Sequence, residues 1–229
     1  MVSLSGRRYV NVDLFSVNGI ARATRLGFTS SHTADIAYSP LLHDIGKIFK
    51  PLKASDIPDV FGRLLVVFRD PMERAFNRYE QAKVTTGNKK MTLSQFANNP
   101  AYSENNPLTR GIMGLSPEDP LEKRDVEKAQ RIIRDQMLVG LYDQFALSLK
   151  RFEQYFSWYA GGVATEIAIC HQEVWNSFSP IYRVSEDYNL EDPVGFNVLL
   201  AQHLMDLSVY KSAKSLFDEQ GPILFKAAG

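Results

Sequence analysis

Apolar and polar positions change period several times along this chain, and the sharpest change falls at Phe68. Leu64-Leu-Val-Val-Phe68 is an unbroken apolar run of strand length, three of its five residues β-branched or aromatic. Arg69 stops it. Asp70 suits a helix N-cap, Pro71 suits a first helical turn, and the next dozen residues hold no helix breaker. The pattern predicts a buried strand over Leu64–Phe68 that feeds a helix from Pro71 to about Lys83. Met137–Leu141 reads as a second buried strand, followed by a helix over Tyr142–Phe156 with Phe145, Leu149, Phe152 and Phe156 turned inward.

The same reading places a short strand at Arg8–Val12, where β-formers alternate, and a weak strand at Ala34–Tyr38. Helical spacing appears in Ser16–Leu26, with Gly27 as C-cap, and in Leu41–Phe49, which stops before Pro51. Lys53–Gly62 is a polar connection. Val84–Lys90 is a loop and Leu93–Asn98 a short helix. Ser103–Arg110 opens a polar, Gly/Pro-broken loop that runs to Pro120. Glu122–Arg134 is a charged amphipathic helix with Val126, Ala129, Ile132 and Ile133 inward, and Val163–Trp175 is helical. Ser177–Pro193 is loop-rich, and one long helix runs from Phe196 to about Gln220, ended by Gly221-Pro222. Strand and helix alternate through the first part of the chain, which argues for an α/β fold: a short parallel sheet flanked by helices, with an α-rich C-terminal half. No clean linker divides it, so residues 1–229 are expected to form a single domain.

Composition narrows the function classes. The chain has 229 residues, 45% of them hydrophobic and 23% charged, and its formal net charge is zero. That is the balance of an ordinary globular protein, without the global field that draws a protein to nucleic acid or to an acidic membrane. An anion site must therefore be built locally. No apolar run reaches the roughly 18 residues of a membrane span. Cys170 is the only cysteine, so neither an intrachain disulfide nor a multi-thiolate metal site is available. Cys170-His171 is too sparse for zinc. Arg131, Arg134, Lys150 and Arg151 read as solvated helix faces.

The candidate chemistry starts at Arg69. A cation at the end of a buried strand, followed by a helix N-terminus, is the arrangement with which open α/β sheets hold anions. Asn77 is placed to turn its amide toward the same edge. The alternative is that Arg69 only pairs with Asp70 or another carboxylate nearby. Two histidines also stand out. His32 lies in Ser31-His-Thr-Ala-Asp35 and reads by itself as a surface-loop histidine. His43-Asp44, in Leu41-Leu-His-Asp-Ile-Gly-Lys-Ile48, is similar to the His-Asp signature of metal-dependent HD phosphohydrolases. With four histidines in the chain, a full ligand set is thin, and the other reading is a half-buried helix with both residues on its polar side.

Leu65-Val-Val-Phe-Arg69-Asp-Pro-Met-Glu-Arg74-Ala-Phe-Asn77-Arg-Tyr79 resembles the 3′-phosphate-binding element of sulfotransferases that use 3′-phosphoadenosine 5′-phosphosulfate (PAPS). The resemblance extends from about Arg8 to Gln220. Ser103-Glu-Asn-Asn106-Pro-Leu-Thr-Arg110 is similar to a segment of the heparan sulfate 6-O-type enzymes, as are Leu138–Gln144 and Arg151–Phe156 to the strand and helix that follow it. Leu207–Gln220 is similar to the family's terminal helix. Tyr9–Asp13 with Gly19–Arg22 resembles sulfotransferase-like proteins of unicellular algae.

The resemblance implies a fold related to P-loop nucleotide kinases and transfer of a sulfuryl group from PAPS to a hydroxyl of a carbohydrate-type acceptor, without a metal. It implies that Arg69 and Asn77 hold the adenosine 3′-phosphate, that Asn106 and Arg110 contact substrate, and that His32 is the catalytic base. Asn77 stands where the family has serine. A larger departure is the lack of any Gly-x-x-Lys-x-Gly-Thr-like stretch, the loop that cradles the 5′-phosphosulfate. The expectation is an N-terminally truncated or degenerate member with weak nucleotide binding and little turnover. A non-catalytic remnant of the same scaffold is the alternative, and an HD phosphohydrolase the second. By the same resemblance a longer N-terminus would imply the Golgi lumen; this chain carries no readable address, and its acceptor-determining loops name no acceptor.

Overall fold

The computed structural model describes residues 2–4, 7–9, 12–28, 37–49, 64–157, 168–169, 172–173 and 188–225. They belong to two compact units: residues 1–64 with 110–119, and residues 65–109 with 120–229.

In the first unit, β1 (Val2–Leu4) pairs antiparallel with β2 (Arg7–Tyr9), with Val2 opposite Tyr9. Of the expected Arg8–Val12 strand, Arg8 and Tyr9 lie in β2, whose partner is the segment just before it, Val12 is in no regular element, and residues 10–11 lie outside the described residues. Helix α1 (Val17–Arg25) starts where the Ser16 hydroxyl accepts from Gly19 N at 3.1 Å. Its C-cap is Leu26, one residue before the expected Gly27, which follows with a left-handed φ of 61°. Ile20 and Ala23 of α1 pack with Leu14, Ile45 and Ile48, and Leu41 and Leu64 close the cluster. The expected Leu41–Phe49 helix is α2 (Leu42–Ile45) followed by a 3₁₀ turn over Gly46–Phe49. The Ala34–Tyr38 strand falls mostly outside the described residues; Ala37 and Tyr38 are in no regular element.

The second unit carries the main motif. β3 (Leu64–Phe68) runs into α3 (Pro71–Thr85), and α6 (Lys123–Gln136) runs into β4 (Met137–Leu141). β3 and β4 pair in parallel, and Tyr142 N donates to Phe68 O at 2.8 Å across their C-terminal ends. Asp70 caps α3 as expected, its carboxylate accepting from Met72 N at 2.8 Å and Glu73 N at 3.2 Å. All five residues of β4 are buried. Helix α7 (Phe145–Phe156) follows, tied to β4 through Ser148, whose hydroxyl accepts from Leu141 N at 2.8 Å.

Around α3 the core gathers Phe76, Tyr79, Leu93, Phe96 and Leu199, with α4 (Leu93–Ala97) supplying two of them. The α8 turn (Tyr188–Glu191) adds Tyr188, which stacks on Phe76 at 4.7 Å between centroids. Helix α9 (Pro193–Gln202) lies on α4, and Asp192 joins them by accepting from Ser94 N at 2.8 Å and Ser94 Oγ at 2.7 Å. Gly195 allows that approach: a Cβ there would sit 2.3 Å from Ser94 N. No helix among the described residues is long and apolar enough to cross a membrane.

Three expectations are corrected. Residues Pro107–Met113, read as loop, form helix α5. The single terminal helix is two, α9 and α10 (Leu204–Phe225), broken at His203. Both corrections have one cause. Asn106, at φ 48°, accepts from Met205 N and Asp206 N at 2.9 and 3.0 Å, while Asp206 accepts from Leu108 N and Thr109 N at 2.9 and 2.8 Å. Each residue caps the other's helix from about a hundred positions away, beyond the reach of local pattern.

Third, α10 continues past Gly221-Pro222. Arg151, read as a solvated residue, is buried, stands over the Phe217 ring at 3.7 Å and donates to Phe217 O at 2.5 Å, with Gly221 leaving room for its guanidinium. The expected 163–175 helix lies largely outside the described residues; 168–169 and 172–173 are helical.

Candidate functional site

Parallel strands place their C-terminal ends side by side, and here those ends deliver Arg69 after β3 and Tyr142 after β4. The Arg69 guanidinium stands over the Tyr142 ring, 4.6 Å from its centroid. Asn77 reaches the same guanidinium from the second turn of α3. With its amide oxygen turned inward, it accepts from both terminal nitrogens of Arg69. The two residues that the sequence placed together are therefore in contact. The third nitrogen, Nε, is buried and has no hydrogen-bond partner; the Glu73 carboxylate lies 3.6 Å away, an ion pair beyond hydrogen-bond reach. Arg69 keeps 23% of its side-chain surface exposed, so the guanidinium is held at an accessible edge.

The helix N-terminus beside it is less open. Asp70 takes the N–H groups of Met72 and Glu73 for itself. The edge is also rich in carboxylates. Burial first, then the negative charges of Asp143, Asp70 and Glu73, push the Tyr210 phenol well above its ordinary value. Of these acids, Glu73 forms the ion pair with Arg69, beyond hydrogen-bond reach.

The other sequence candidates are placed differently. His32 lies outside the described residues, as do Cys170 and His171. Asn106 is buried and its amide oxygen serves the start of α10. Arg110 is also buried, and its Nη1 donates to Ser116 O at 2.6 Å and Asp119 O at 2.9 Å, which organises the turn after α5. Both side chains act inside the fold. His43 donates from Nδ1 to Ile112 O at 3.2 Å, and Asp44 pairs with Lys47 one turn on. Neighbours in sequence, they do not converge on a common point. Among the described residues no group of three or more His, Cys, Asp or Glu side chains is arranged to hold a metal ion.

A second polar cluster escaped the sequence reading. Arg74 and Arg78, one turn apart on α3, both engage Glu104, and buried His203 lies beneath them with Phe96 and Tyr102 around a small recess. His203 Nδ1 lies 2.8 Å from Leu199 O, which only accepts, so the proton is on Nδ1. Burial, with Arg74 and Arg78 adding to it, holds the imidazole below its ordinary value. Arg74-x-x-x-Arg78 was visible as a spacing; its convergence on a glutamate from another segment was not. Buried Asp206 adds a carboxylate nearby, fully engaged with α5 through Leu108 N, Thr109 N and the Thr109 hydroxyl at 2.7 Å.

No protein-family model, curated protein or solved structure matches this chain.

Proposed function

We propose that the chain is a sulfotransferase-like protein on a P-loop-kinase-related scaffold, and that Arg69 and Asn77 bind the 3′-phosphate of an adenosine nucleotide such as PAPS. The observation that carries this reading is the meeting of Arg69 and Asn77 at the C-terminal edge of two parallel strands. A guanidinium there forks onto phosphate oxygens, and the unpartnered Nε is a buried donor that a phosphate oxygen would satisfy. Asn77 fills the serine's role by rotating its amide, so that Nδ2 donates to phosphate in place of Oδ1 accepting from Arg69. Tyr142 supports the guanidinium plane from below.

The residues fit the nucleotide in part. Arg69 supplies charge and Asn77 a donor, but Asp70 already occupies the first N–H groups of α3. Binding is therefore carried by side chains and is weak. PAPS supplies the sulfuryl group; the acceptor is a carbohydrate hydroxyl by resemblance alone. Turnover needs a cradle for the phosphosulfate, and this sequence has no Gly-rich Lys-containing loop of that kind. A sulfotransferase whose phosphosulfate loop lies outside this sequence and a non-catalytic scaffold that binds nucleotide without transferring sulfate are the two forms of the reading.

Calorimetry with 3′,5′-adenosine bisphosphate tests the site. Saturable binding that Arg69→Ala weakens about 10- to 100-fold, the usual worth of a hydrogen-bonded charge pair, supports it. Heat that is absent, or equal in wild type and Arg69→Ala, refutes it. Sulfate transfer from PAPS to a carbohydrate acceptor, measured on the same protein, separates enzyme from remnant.

A further inference from the structure

The cluster on the adjacent face of α3 has the make-up of an anion receptor. Arg74 and Arg78 are four residues apart, a spacing that sets like charges next to each other and destabilises a helix unless something neutral or negative separates them. What separates them is one carboxylate. Arg74 Nη2 donates to Glu104 Oε2 at 2.8 Å, and Arg78 Nη1 pairs with Glu104 Oε1. Each guanidinium thus takes one oxygen of the same group, which is how two arginines share a tetrahedral oxyanion.

Two guanidinium groups are paired directly with a single carboxylate. Behind them the Asp206 charge also acts on Arg74, although its oxygens are bonded to α5 and are not free to pair with either guanidinium. Burial lowers the pKa values of Arg74 and Arg78, and for Arg78 the charge of Arg74 adds to the effect. The arginines keep 42% and 34% of their side-chain surface exposed, and Glu104 keeps 34%, so the cluster opens to solvent. Glu104 belongs to no helix or strand. It lies in the connection between α4 and α5, and its side chain returns to water at small cost when it leaves. Behind it the recess is lined by Phe96, Tyr102 and His203, with no second carboxylate.

We propose that Arg74 and Arg78 form a receptor for a sulfate or phosphate monoester group, and that the Glu104 carboxylate is a resident substitute which the ligand displaces. A dianion brings the two guanidinium groups one more negative charge, and one more oxygen, than the Glu104 carboxylate does. A sulfate ester, with one charge, gains only from its three oxygens against two. This site uses none of the groups at the Arg69 edge and stands or falls independently of the nucleotide reading.

The test uses the full-length chain, with inorganic sulfate, inorganic phosphate and glucose 6-phosphate titrated at constant ionic strength against chloride. Wild type binds these dianions weakly. Glu104→Gln removes the competitor and tightens phosphate at least tenfold, Arg74→Gln and Arg78→Gln abolish saturable binding, and Arg69→Ala leaves it unchanged. Tighter binding of glucose 6-phosphate than of phosphate assigns the site to an ester, and the reverse assigns it to the free ion. Glu104→Asp draws the carboxylate back by one methylene and also tightens phosphate, which keeps the test open if Glu104→Gln fails to fold. Phosphate affinity that is unchanged in a folded Glu104 variant, or that survives loss of either arginine, overturns the proposal.

Discussion

Asn106 and Asp206 exchange caps: the amide oxygen of Asn106 holds the first N–H groups of α10, and the carboxylate of Asp206 holds those of α5. A reciprocal pair of this kind joins two helix starts that are far apart in sequence. Asn106→Ala is expected to cost about 1–2 kcal/mol, the range for a lost N-cap. Asp206→Ala is expected to cost more, about 2–4 kcal/mol, since it strands two backbone donors and the Thr109 hydroxyl in a buried site. Denaturant unfolding of the single and double variants checks both values. The double variant should lose less than the two single losses combined, because each cap presupposes the other's helix.

Gly114 makes a second prediction. Its φ of 69° is left-handed, and a Cβ would sit 2.5 Å from His43 Cδ2. Gly114→Ala should cost at least ~1 kcal/mol from backbone strain alone, plus the displacement of the His43 ring from Ile112 O. In a His43→Ala background the same substitution should cost less, with the backbone part remaining. Equal losses in the two backgrounds, measured by chemical denaturation, would contradict the contact.

His203 should make stability depend on pH near neutrality. Its folded pKa lies below the ordinary 6.5, so the folded protein binds fewer protons than the unfolded chain between those two values. Stability from this group is complete above about pH 7 and falls as the solution is acidified through 6.5 toward the folded pKa. Melting temperatures between pH 7.5 and 5.5 should therefore decline, and His203→Gln should flatten the decline. Asp192, whose pKa is lowered first by its bond from Gly195 N and then by those from Ser94, acts in the carboxylate range below this window.

Ser148 is the link between β4 and α7. Its hydroxyl accepts from Leu141 N at 2.8 Å and lies 2.9 Å from Gln144 O. Ser148→Ala leaves a buried N–H without a partner and should destabilise by about 1–3 kcal/mol. Hydrogen exchange at Leu141 should accelerate more than at Val139, whose N–H bonds to Gln220 Oε1 at 3.0 Å.

Local signals carried most of what the sequence revealed. The apolar runs at Leu64–Phe68 and Met137–Leu141 became strands at those limits, although only Phe68 of the first is buried, and Asp70 took its expected capping position. What stayed hidden depends on residues distant in sequence. α5 and the break at His203 need the Asn106–Asp206 exchange, and α10 passes Pro222 where Arg151 packs against it. At the site, Arg69 and Asn77 were legible because they lie eight residues apart on one strand-to-helix unit. Tyr142 and Glu104 were not, since each comes from another segment.

Asp70 sets a last condition on the strand edge. Because its carboxylate already satisfies the opening amides of α3, no visiting anion finds a vacant cradle there. Occupancy becomes an exchange among charges already present, and the visitor's own ionisation decides the outcome. A phosphate monoester passes from one negative charge to two near pH ~6, whereas a sulfate ester stays at one throughout. An anion bound there as proposed would be selected by its protonation state as much as by its shape.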